Sequence, residues 1–321
     1  MNNFKWIEPK TLNEASSAMK SGGALYAGGV ELLCLLKERL IEPPTVINLK
    51  TISGLNSIET RTGLRLGALV TIDQLSENKY IRDNFRAVAE SSDVIASPQI
   101  KNVGTVGGNL CQRPRCWYFR DPEVNCLKKG GGMCYAVNGH SEYHAIFGGG
   151  PCFIVHPSDL APALIAYEAD VVTNERKMKL SEFFVLPMEN PYVENKLNPG
   201  EIITHVEIPE ARKATKSAYY KAKERRSFDW ALSSCAVSLK MSGENVEDAR
   251  IVLGGVAPIP WRSQDAENAI KGKPVNEQTA ESAGKAATVS ANPMRHSTYK
   301  IKLTENVIKI ALLKAAGKIT K

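Results

Sequence analysis

The chain has 321 residues, of which 43% are hydrophobic and 23% are charged, which is the composition of an ordinary globular protein. This length exceeds one core of usual size and predicts two or three subdomains. No apolar run is long enough to span a membrane and the start of the chain lacks a secretory-signal pattern, so we expect a cytoplasmic protein with no membrane span.

The formal net charge is +7, and the excess of basic residues lies in the last third of the chain, after residue 210. Aromatic residues are not interleaved with these lysines, and zinc-finger, RRM and KH patterns are absent. The charge therefore favours a solvated basic face or a contact with an acidic partner subunit, and we expect no nucleic-acid partner.

The first third of the chain predicts short helices and strands in alternation. The predicted helices cover residues 11–19, 31–39, a segment that starts at Thr71, and 81–94, and the predicted strands cover 25–27, 45–49 and 64–69. Gln74 follows Thr71 by three residues, which is the spacing of a capping box.

Residues 97–150 are rich in Gly, Cys, Pro and Arg and predict irregular structure. Beyond them we expect a short regular segment at 152–155, a helix at 160–166 and a strand at 169–172, followed by a proline-containing connector. The last third predicts strands at 217–220, 236–241 and 249–254 and helices at 265–270, 277–287 and 303–316. This order predicts an α+β chain with a domain boundary near 175–215.

Two turns carry paired glycines in positions suited to a phosphate group. Gly28-Gly29 separates a predicted strand from a predicted helix, and Gly107-Gly108 lies between Thr105 and Asn109. Glycine lets backbone N–H groups approach a phosphate without a Cβ in the way, although such a turn is more often a plain helix entry. Neither turn is a GxGxxG fingerprint or a P-loop.

These two turns, about 75 residues apart, resemble the FAD-binding medium subunit of the xanthine dehydrogenase or molybdenum hydroxylase family. The resemblance covers nearly the whole chain and extends to residues 96–110, 156–159, 196–202 and 220–226. It implies a PCMH-type (vanillyl-alcohol-oxidase-like) FAD-binding fold of two subdomains and a smaller α+β C-terminal domain. The implied domains are 1–176 for FAD, 177–212 as a connector that completes the flavin site, and 213–321 as a C-terminal domain of the CO-dehydrogenase flavoprotein type.

The resemblance also implies where FAD would be held. Two groups of residues would clasp the pyrophosphate and ribityl chain: Leu25, Tyr26, Ala27, Gly28, Gly29, Val30, Glu31 and Leu32, and Thr105, Val106, Gly107, Gly108 and Asn109. Ile95 and Leu197 would pack near the rings, and Asp159 would accept a hydrogen bond from a flavin hydroxyl. Lys221 would place a cation near the N1 and C2 carbonyl side of the flavin. From the residues alone, Asp159 is also a helix cap and Lys221 a surface lysine.

Five of the seven cysteines fall within residues 111–152, which we call the cysteine loop. Disulfides are improbable in a cytosolic chain, so the clustering indicates metal or redox chemistry. The loop has no Cys-x2-Cys pair and no bacterial ferredoxin spacing. Spacing alone therefore leaves an iron–sulfur cluster, zinc and redox or structural thiols open.

The resemblance favours the first of these alternatives. Some members of the family, such as the corresponding subunits of 4-hydroxybenzoyl-CoA reductase and certain aldehyde oxidoreductases, carry an inserted loop that holds a 4Fe–4S cluster. The ligands would here be Cys116, Cys126, Cys134 and Cys152, with Cys111 left over. We expect Cys34 and Cys235 to be core residues.

The resemblance implies an oxidoreductase subunit that passes electrons through FAD, with an additional 4Fe–4S cluster. Its partners would be a large molybdenum-cofactor subunit and a small 2Fe–2S subunit, in a heterotrimer or a dimer of heterotrimers, together with an external electron acceptor or donor. No molybdopterin or plant-type 2Fe–2S pattern occurs in this chain, so those groups would lie on separate polypeptides. The alternatives are a stand-alone FAD-dependent oxidase or dehydrogenase of the vanillyl-alcohol type, and a zinc-stabilised binding module.

Overall fold

The computed structural model describes residues 1–213, 215–225 and 227–319. The N-terminal unit is a parallel sheet of three strands, β1 (Lys5–Ile7), β2 (Ala24–Tyr26) and β3 (Thr45–Asn48), in the order β1-β3-β2. Helices α1 (Leu12–Lys20) and α2 (Val30–Lys37) connect these strands. Successive residues of a strand face opposite sides of its sheet, so Ile47 packs toward the α1 side and Val46 packs with Leu32 and Leu36 of α2. The parallel sheet is thus covered on both faces.

The second unit contains a five-stranded antiparallel sheet with several short helices. Its strands, in the order β4-β5-β8-β6-β7, are β4 (Ile58–Glu59), β5 (Leu64–Gly67), β6 (Asp170–Thr173), β7 (Lys177–Lys179) and β8 (Ile203–Ile208). Its helices are α3 (Ile72–Glu77), α4 (Lys79–Asn84), α5 (Arg86–Asp93), α6 (Pro98–Val103), α7 (Val106–Leu110), α8 (Trp117–Arg120), α9 (Leu160–Ala166) and α10 (Leu180–Phe183). The strand β8 lies within the segment that the sequence analysis treats as a connector and pairs with both β5 and β6.

The C-terminal unit is a four-stranded antiparallel sheet followed by three helices. Its strands, in the order β12-β11-β10-β9, are β9 (Lys216–Ala222), β10 (Ser233–Ser242), β11 (Asn245–Gly254) and β12 (Trp261–Arg262). Its helices are α11 (Gln264–Ile270), α12 (Glu277–Thr288) and α13 (Tyr299–Ala315).

Both faces of this C-terminal sheet are buried, as the continuous burial of the first seven residues of β10, Ser233 to Leu239, shows. Val237 and Ile251 face the C-terminal helices and share a core with Ile308. Ala236 and Val252 face the other way and join the core of the second unit. The second and C-terminal units therefore share one continuous core.

Several predicted boundaries differ from the structure. The predicted helix over 81–94 is two helices, α4 and α5, because the backbone leaves helical geometry at Phe85, whose ring is buried. The predicted irregular segment 97–150 contains α6, which begins with a Ser97 cap and Pro98 at its first position, and also α7 and α8. Residues 152–155 form no regular strand. The capping box at Thr71 and Gln74 is present as predicted.

None of the helices in the described part of the chain is both long enough and apolar enough to cross a lipid bilayer.

Candidate functional site

A cavity of about 700 Å³, here called the central cleft, lies where the three units meet. Its walls come from both glycine turns, from residues 193–203 and from the end of β9 and the segment after it. Of the 17 predicted cofactor residues, 15 line it: Leu25, Ala27, Gly28, Gly29, Val30, Glu31, Leu32, Ile95, Thr105, Gly107, Gly108, Asn109, Asp159, Leu197 and Lys221. Tyr26 and Val106 do not line it. The structure therefore brings together residues that are up to 196 positions apart in the sequence.

The first glycine turn presents the N-terminus of α2 to the cleft. Gly29 has φ +76°, a left-handed conformation that glycine adopts without strain, and it precedes α2 with no side-chain cap. The first N–H groups of a helix have no acceptor within the helix, so they remain available to a ligand. A Cβ at Gly28 would overlap the carbonyl oxygen of Val103, just before the second turn. Glycine at position 28 is therefore what allows the two turns to touch.

The second glycine turn supplies a close-packed surface. The N–H groups of Val106 and Gly107 donate to the carbonyls of Val70 and Ala68, at 2.9 and 2.8 Å. Val106 is fully buried in the main core, which is why it does not line the cleft. A Cβ at Gly107 would lie 3.1 Å from the Cβ of Ala68, so even a small side chain there would crowd this wall.

At the other end of the cleft, Lys221 and Asp159 form a buried ion pair. The Nζ of Lys221 donates to Oδ2 of Asp159 at 2.8 Å, and the two side chains are only 2% and 5% exposed. The hydroxyl of Tyr219 donates to the other carboxylate oxygen at 2.6 Å, and burial, together with the charge of Asp159, raises the pKa of Tyr219 well above its ordinary value. Tyr219 thus stays protonated and fixes the carboxylate that neutralises Lys221.

The side chain of Asp159 does not cap α9. That role belongs to Ser158, whose Oγ accepts from the N–H of Ala161 at 2.9 Å. The same hydroxyl donates to Oδ1 of Asn109 at 2.5 Å, and so connects the second glycine turn to α9. The backbone N–H of His156 donates to the carbonyl of Ala257 in the C-terminal unit. The segment 156–159 therefore joins the walls of the cleft.

Glu31 lines the cleft, but its carboxylate is held by arginines of the cysteine loop. Arg115 and Arg120 each place a guanidinium nitrogen on it, at 2.5 and 2.6 Å. Burial lowers the pKa of Arg115, although the charge of Glu31 opposes this effect. The carboxylate of Glu31 thus attaches α2 to the cysteine loop.

Phe228, Trp230 and Asn195 also line the cleft, although none of them was predicted as a cofactor residue. Phe228 and Trp230 are exposed aromatic side chains, and the guanidinium of Arg115 lies 4.6 Å from the ring of Trp230. The signal for this pair was present in the sequence, since both follow the Lys-Glu-Arg-Arg segment within a few residues.

The four cysteines predicted as cluster ligands form one connected group in the cysteine loop, and all of them are free thiols. Cys116 is within electrostatic reach of Cys126 and Cys134, and burial raises its pKa to about 11. A hydrogen bond from the thiol of Cys152 lowers the pKa of Cys134 to about 6, and the same bond raises that of Cys152. Cys126 and Cys152 are buried, and Cys116 and Cys134 are partly buried.

The other three cysteines lie outside this group. Cys111 lines the central cleft, and burial raises its pKa to about 12. Cys235 is a core residue, as predicted. Cys34 is exposed, so its predicted core position is wrong, because Leu32, Leu35 and Leu36 form the buried face of α2.

A buried ion pair anchors the cysteine loop to the wall of the central cleft. Lys128 is almost fully buried and lies 2.8 Å from Glu194, which also receives Arg113. Its ammonium group donates in addition to the carbonyls of Pro191 and Val193. Over residues 1–213, 215–225 and 227–319, no three His, Cys, Asp or Glu side chains lie close enough to hold a single metal ion.

Two family models match the chain in tandem. Residues 2–211 match the FAD-binding domain of molybdopterin dehydrogenases, and residues 218–315 match the C-terminal domain of CO dehydrogenase flavoproteins. The chain belongs to the molybdopterin dehydrogenase FAD-binding family. Relatives of the chain are named as FAD-binding subunits of oxidoreductases, which confirms the prediction of an oxidoreductase subunit.

The chain is 33% identical over 326 residues to the FAD-binding subunit of an Escherichia coli aldehyde oxidoreductase, covering 98% of this chain and 99% of that protein. It is 26% identical to the carbon monoxide dehydrogenase medium chain of Hydrogenophaga pseudoflava, covering 96% of each chain. A solved structure of carbon monoxide dehydrogenase from the same organism superposes with a TM-score of 0.77, at 26% identity, covering 99% of this chain and 98% of that one. The predicted α+β fold, with a FAD-binding domain and a C-terminal domain, is confirmed.

Proposed function

We propose that this chain holds FAD in the central cleft and serves as the electron-transfer flavoprotein subunit of a heteromeric molybdenum hydroxylase. The observation that carries the proposal is the cleft itself, which runs from the uncapped N-terminus of α2 to the buried pair of Lys221 and Asp159. A volume of about 700 Å³ suits a large organic cofactor.

The N-terminus of α2 would hold the pyrophosphate. A helix N-terminus combines free N–H donors with a partial positive charge, which favours an anion. Gly28 and Gly29 keep this end of the helix free of Cβ atoms, while Thr105 and Gly108 of the second turn face the same space. The first turn would thus bind phosphate oxygens directly, and the second would shape the opposite wall.

The other end of the cleft would receive the flavin rings. Ile95 and Leu197 provide apolar walls, and Lys221 places a donor and a positive charge there. FAD, when bound, exchanges electrons in steps of one or two, which allows it to connect one-electron and two-electron partners. Because Asp159 neutralises Lys221, the pair would orient the rings by hydrogen bonding more than by net charge.

The partners that we propose are a large molybdenum-cofactor subunit and a small 2Fe–2S subunit, in a heterotrimer or a dimer of heterotrimers, together with an external electron acceptor or donor. Support comes from relatives that are themselves named as one subunit or medium chain of a larger enzyme. An aldehyde is the substrate class we favour for the partner subunit, because the 33% identical relative belongs to an aldehyde oxidoreductase.

We also propose that the cysteine loop holds a 4Fe–4S cluster on Cys116, Cys126, Cys134 and Cys152. Four free thiols in a partly buried, connected group fit this cofactor, since thiolates are its usual ligands. A single zinc ion would need its ligands about 2.3 Å from one point. In a 4Fe–4S cluster each cysteine binds a different iron, so the thiols are spaced more widely than around one ion. Metal analysis therefore distinguishes the cluster from zinc.

The cluster, when bound, would supply a one-electron relay. The chain surrounds its thiols with Lys128, buried beside Glu194, and with the ring nitrogen of His144, 3.3 Å from the sulfur of Cys116. These side chains would hold the loop in place and limit the access of water.

The decisive experiment is the absorption spectrum of the anaerobically purified full chain, combined with flavin, iron and sulfide analysis. We expect flavin bands with a broad shoulder and about four iron atoms per chain. Flavin without iron would refute the cluster and leave the FAD proposal standing, whereas a colourless protein would refute both.

Variants assign the residues. Cys126→Ser and Cys134→Ser should each lower the iron content strongly, whereas Cys34→Ser, which changes an exposed cysteine outside the group, should not. Gly107→Val should abolish flavin retention, because its side chain would crowd Ala68 at the cleft wall. Circular dichroism of each variant separates loss of a cofactor from loss of the fold, and normal flavin content in a folded Gly107→Val protein would refute the assignment of that turn.

A further inference from the structure

We propose that a second cavity, next to the central cleft, binds a quinone-type molecule that exchanges electrons with the flavin. This inference rests on the proposed function. The second cavity, here called the aromatic cavity, has a volume of about 450 Å³, and its walls include Cys116, Trp117, Tyr143, His144 and Trp230. That volume is within the range of small-molecule sites.

The aromatic cavity lies between the two proposed redox centres. It shares Pro157, Asp159, Asp229 and Trp230 with the central cleft, on the side where the flavin rings would lie. Cys116, one of the four proposed cluster ligands, forms part of its other wall. A molecule bound here would thus be within short range of the flavin and of the cluster.

Flat aromatic side chains form the rim of the aromatic cavity. Trp117, Tyr143 and Trp230 are 37%, 43% and 45% exposed, so the cavity reaches the protein surface. The rings of Trp117 and Tyr143 meet at 5.5 Å with an interplanar angle of 71°. Such walls favour a planar aromatic molecule through stacking and edge contacts.

The charged groups of the aromatic cavity disfavour a nicotinamide dinucleotide. Arg115 and Arg120 line it, but both are already paired with Glu31, and Arg120 is also paired with Glu38. The other charged lining residues are all acidic and would repel phosphate: Glu38, Asp159, Glu224 and Asp229. The cavity also lacks a glycine turn at a helix N-terminus, as far as the described residues extend. An uncharged ring system is therefore the better fit.

A buried lysine lies behind the wall of the aromatic cavity. The Nζ of Lys300 donates to the carbonyl of Gly255, a lining residue, at 2.8 Å. Within residues 1–213, 215–225 and 227–319, no carboxylate pairs with Lys300, whose side chain is fully buried. Lys300 thus fixes the backbone of this wall through the carbonyl of Gly255.

The reaction is balanced without a further reactant. The quinone would gain two electrons and two protons from bound reduced flavin, one proton on each carbonyl oxygen, to give the hydroquinone and leave the flavin oxidised. The same exchange in reverse would deliver electrons from a hydroquinone.

The test is the binding of 2,3-dimethyl-1,4-naphthoquinone to the full chain with its flavin oxidised and bound, measured by isothermal titration calorimetry. Both ring positions that thiols attack are methylated in this probe, so the free cysteines should not add to it. We expect one site per chain, and Trp117→Ala and Tyr143→Ala should each weaken binding about fivefold to tenfold through loss of an aromatic wall.

Trp6→Ala is the matched control, because Trp6 has a similar exposure of 44% but lies on β1, outside the aromatic cavity. Its affinity for the probe should equal that of the unchanged chain. Equal affinity in the Trp117→Ala and Tyr143→Ala variants, or binding only to flavin-free protein, would overturn the inference. Flavin and iron contents, measured on each sample first, separate this outcome from failure of the proposed function.

Discussion

The buried pair of Lys221 and Asp159 gives the sharpest prediction for stability. Replacing Lys221 by methionine keeps most of the side-chain volume but leaves the carboxylate of Asp159 with Tyr219 as its remaining partner. At the observed separation of 2.8 Å, the attraction that is lost is about 6 kcal/mol for an effective dielectric constant of about 20. Removing one member of a buried pair usually costs about 3–5 kcal/mol. We therefore expect the Lys221→Met substitution to lower the free energy of unfolding by about 3–5 kcal/mol.

Urea denaturation of flavin-free protein, followed by circular dichroism, measures this loss without the added stability of a bound cofactor. The Lys221→Met/Asp159→Asn double variant removes both charges and should recover at least half of the lost stability. The matched control is Lys177→Met, since the Lys177 side chain is 53% exposed and its two ion pairs should contribute only about 0–1 kcal/mol each. A Lys221→Met protein within 1 kcal/mol of the unchanged chain, or a double variant as unstable as the single one, would contradict this account.

Two further predictions follow from single residues. Gly28→Ala should abolish flavin retention, because the added Cβ would overlap the carbonyl of Val103. The control is Gly132→Ala, which should keep its flavin because the added Cβ would meet no atom within 4 Å. Equal flavin content in the two variants would refute the contact between the turns. Burial lowers the pKa of Lys300 to about 7. Between about pH 7 and pH 10 the unfolded chain therefore keeps the Lys300 proton while the folded chain has lost it. The free energy of unfolding should rise with pH over this range, by at most about 1.4 kcal/mol per pH unit. Urea denaturation between pH 6.5 and 9.5 should show a shallower rise for Lys300→Met, and parallel curves would rule out this role for Lys300.

Local sequence signals predicted the secondary structure well where packing agreed with them. The strands β9, β10 and β11 were predicted from their apolar runs, and α9 was predicted from residue 160 to 166 as the structure has it. The prediction failed at α2, where five apolar residues in a row leave the buried face undetermined. Packing against β3 selects Leu32 and Leu36 and turns Cys34 outward. A helix that is apolar all round does not reveal its orientation from its sequence.

The part of the site that has a local sequence signal was predicted. The glycine turns carry their own conformational requirement, and 15 of the 17 predicted residues line one cleft. Long-range partners had no local signal, since the arginines that hold Glu31 lie more than 80 residues away in the sequence. Spacing alone left the chemistry of the cysteines open, and the position of Cys111 in the cleft agrees with its separation from the other four, which the resemblance implied.

The shared core beneath the C-terminal sheet constrains the order in which this protein folds during its synthesis. The face of the sheet that carries Ala236 and Val252 packs against α5 and α9, which are synthesised earlier. The C-terminal unit therefore packs against segments that have already been synthesised. A C-terminal unit produced alone would expose this apolar face to water and to other chains. Since β9 brings Lys221 to the cleft, we expect flavin binding to be the last step, and a nascent chain that stops before residue 216 should bind no flavin.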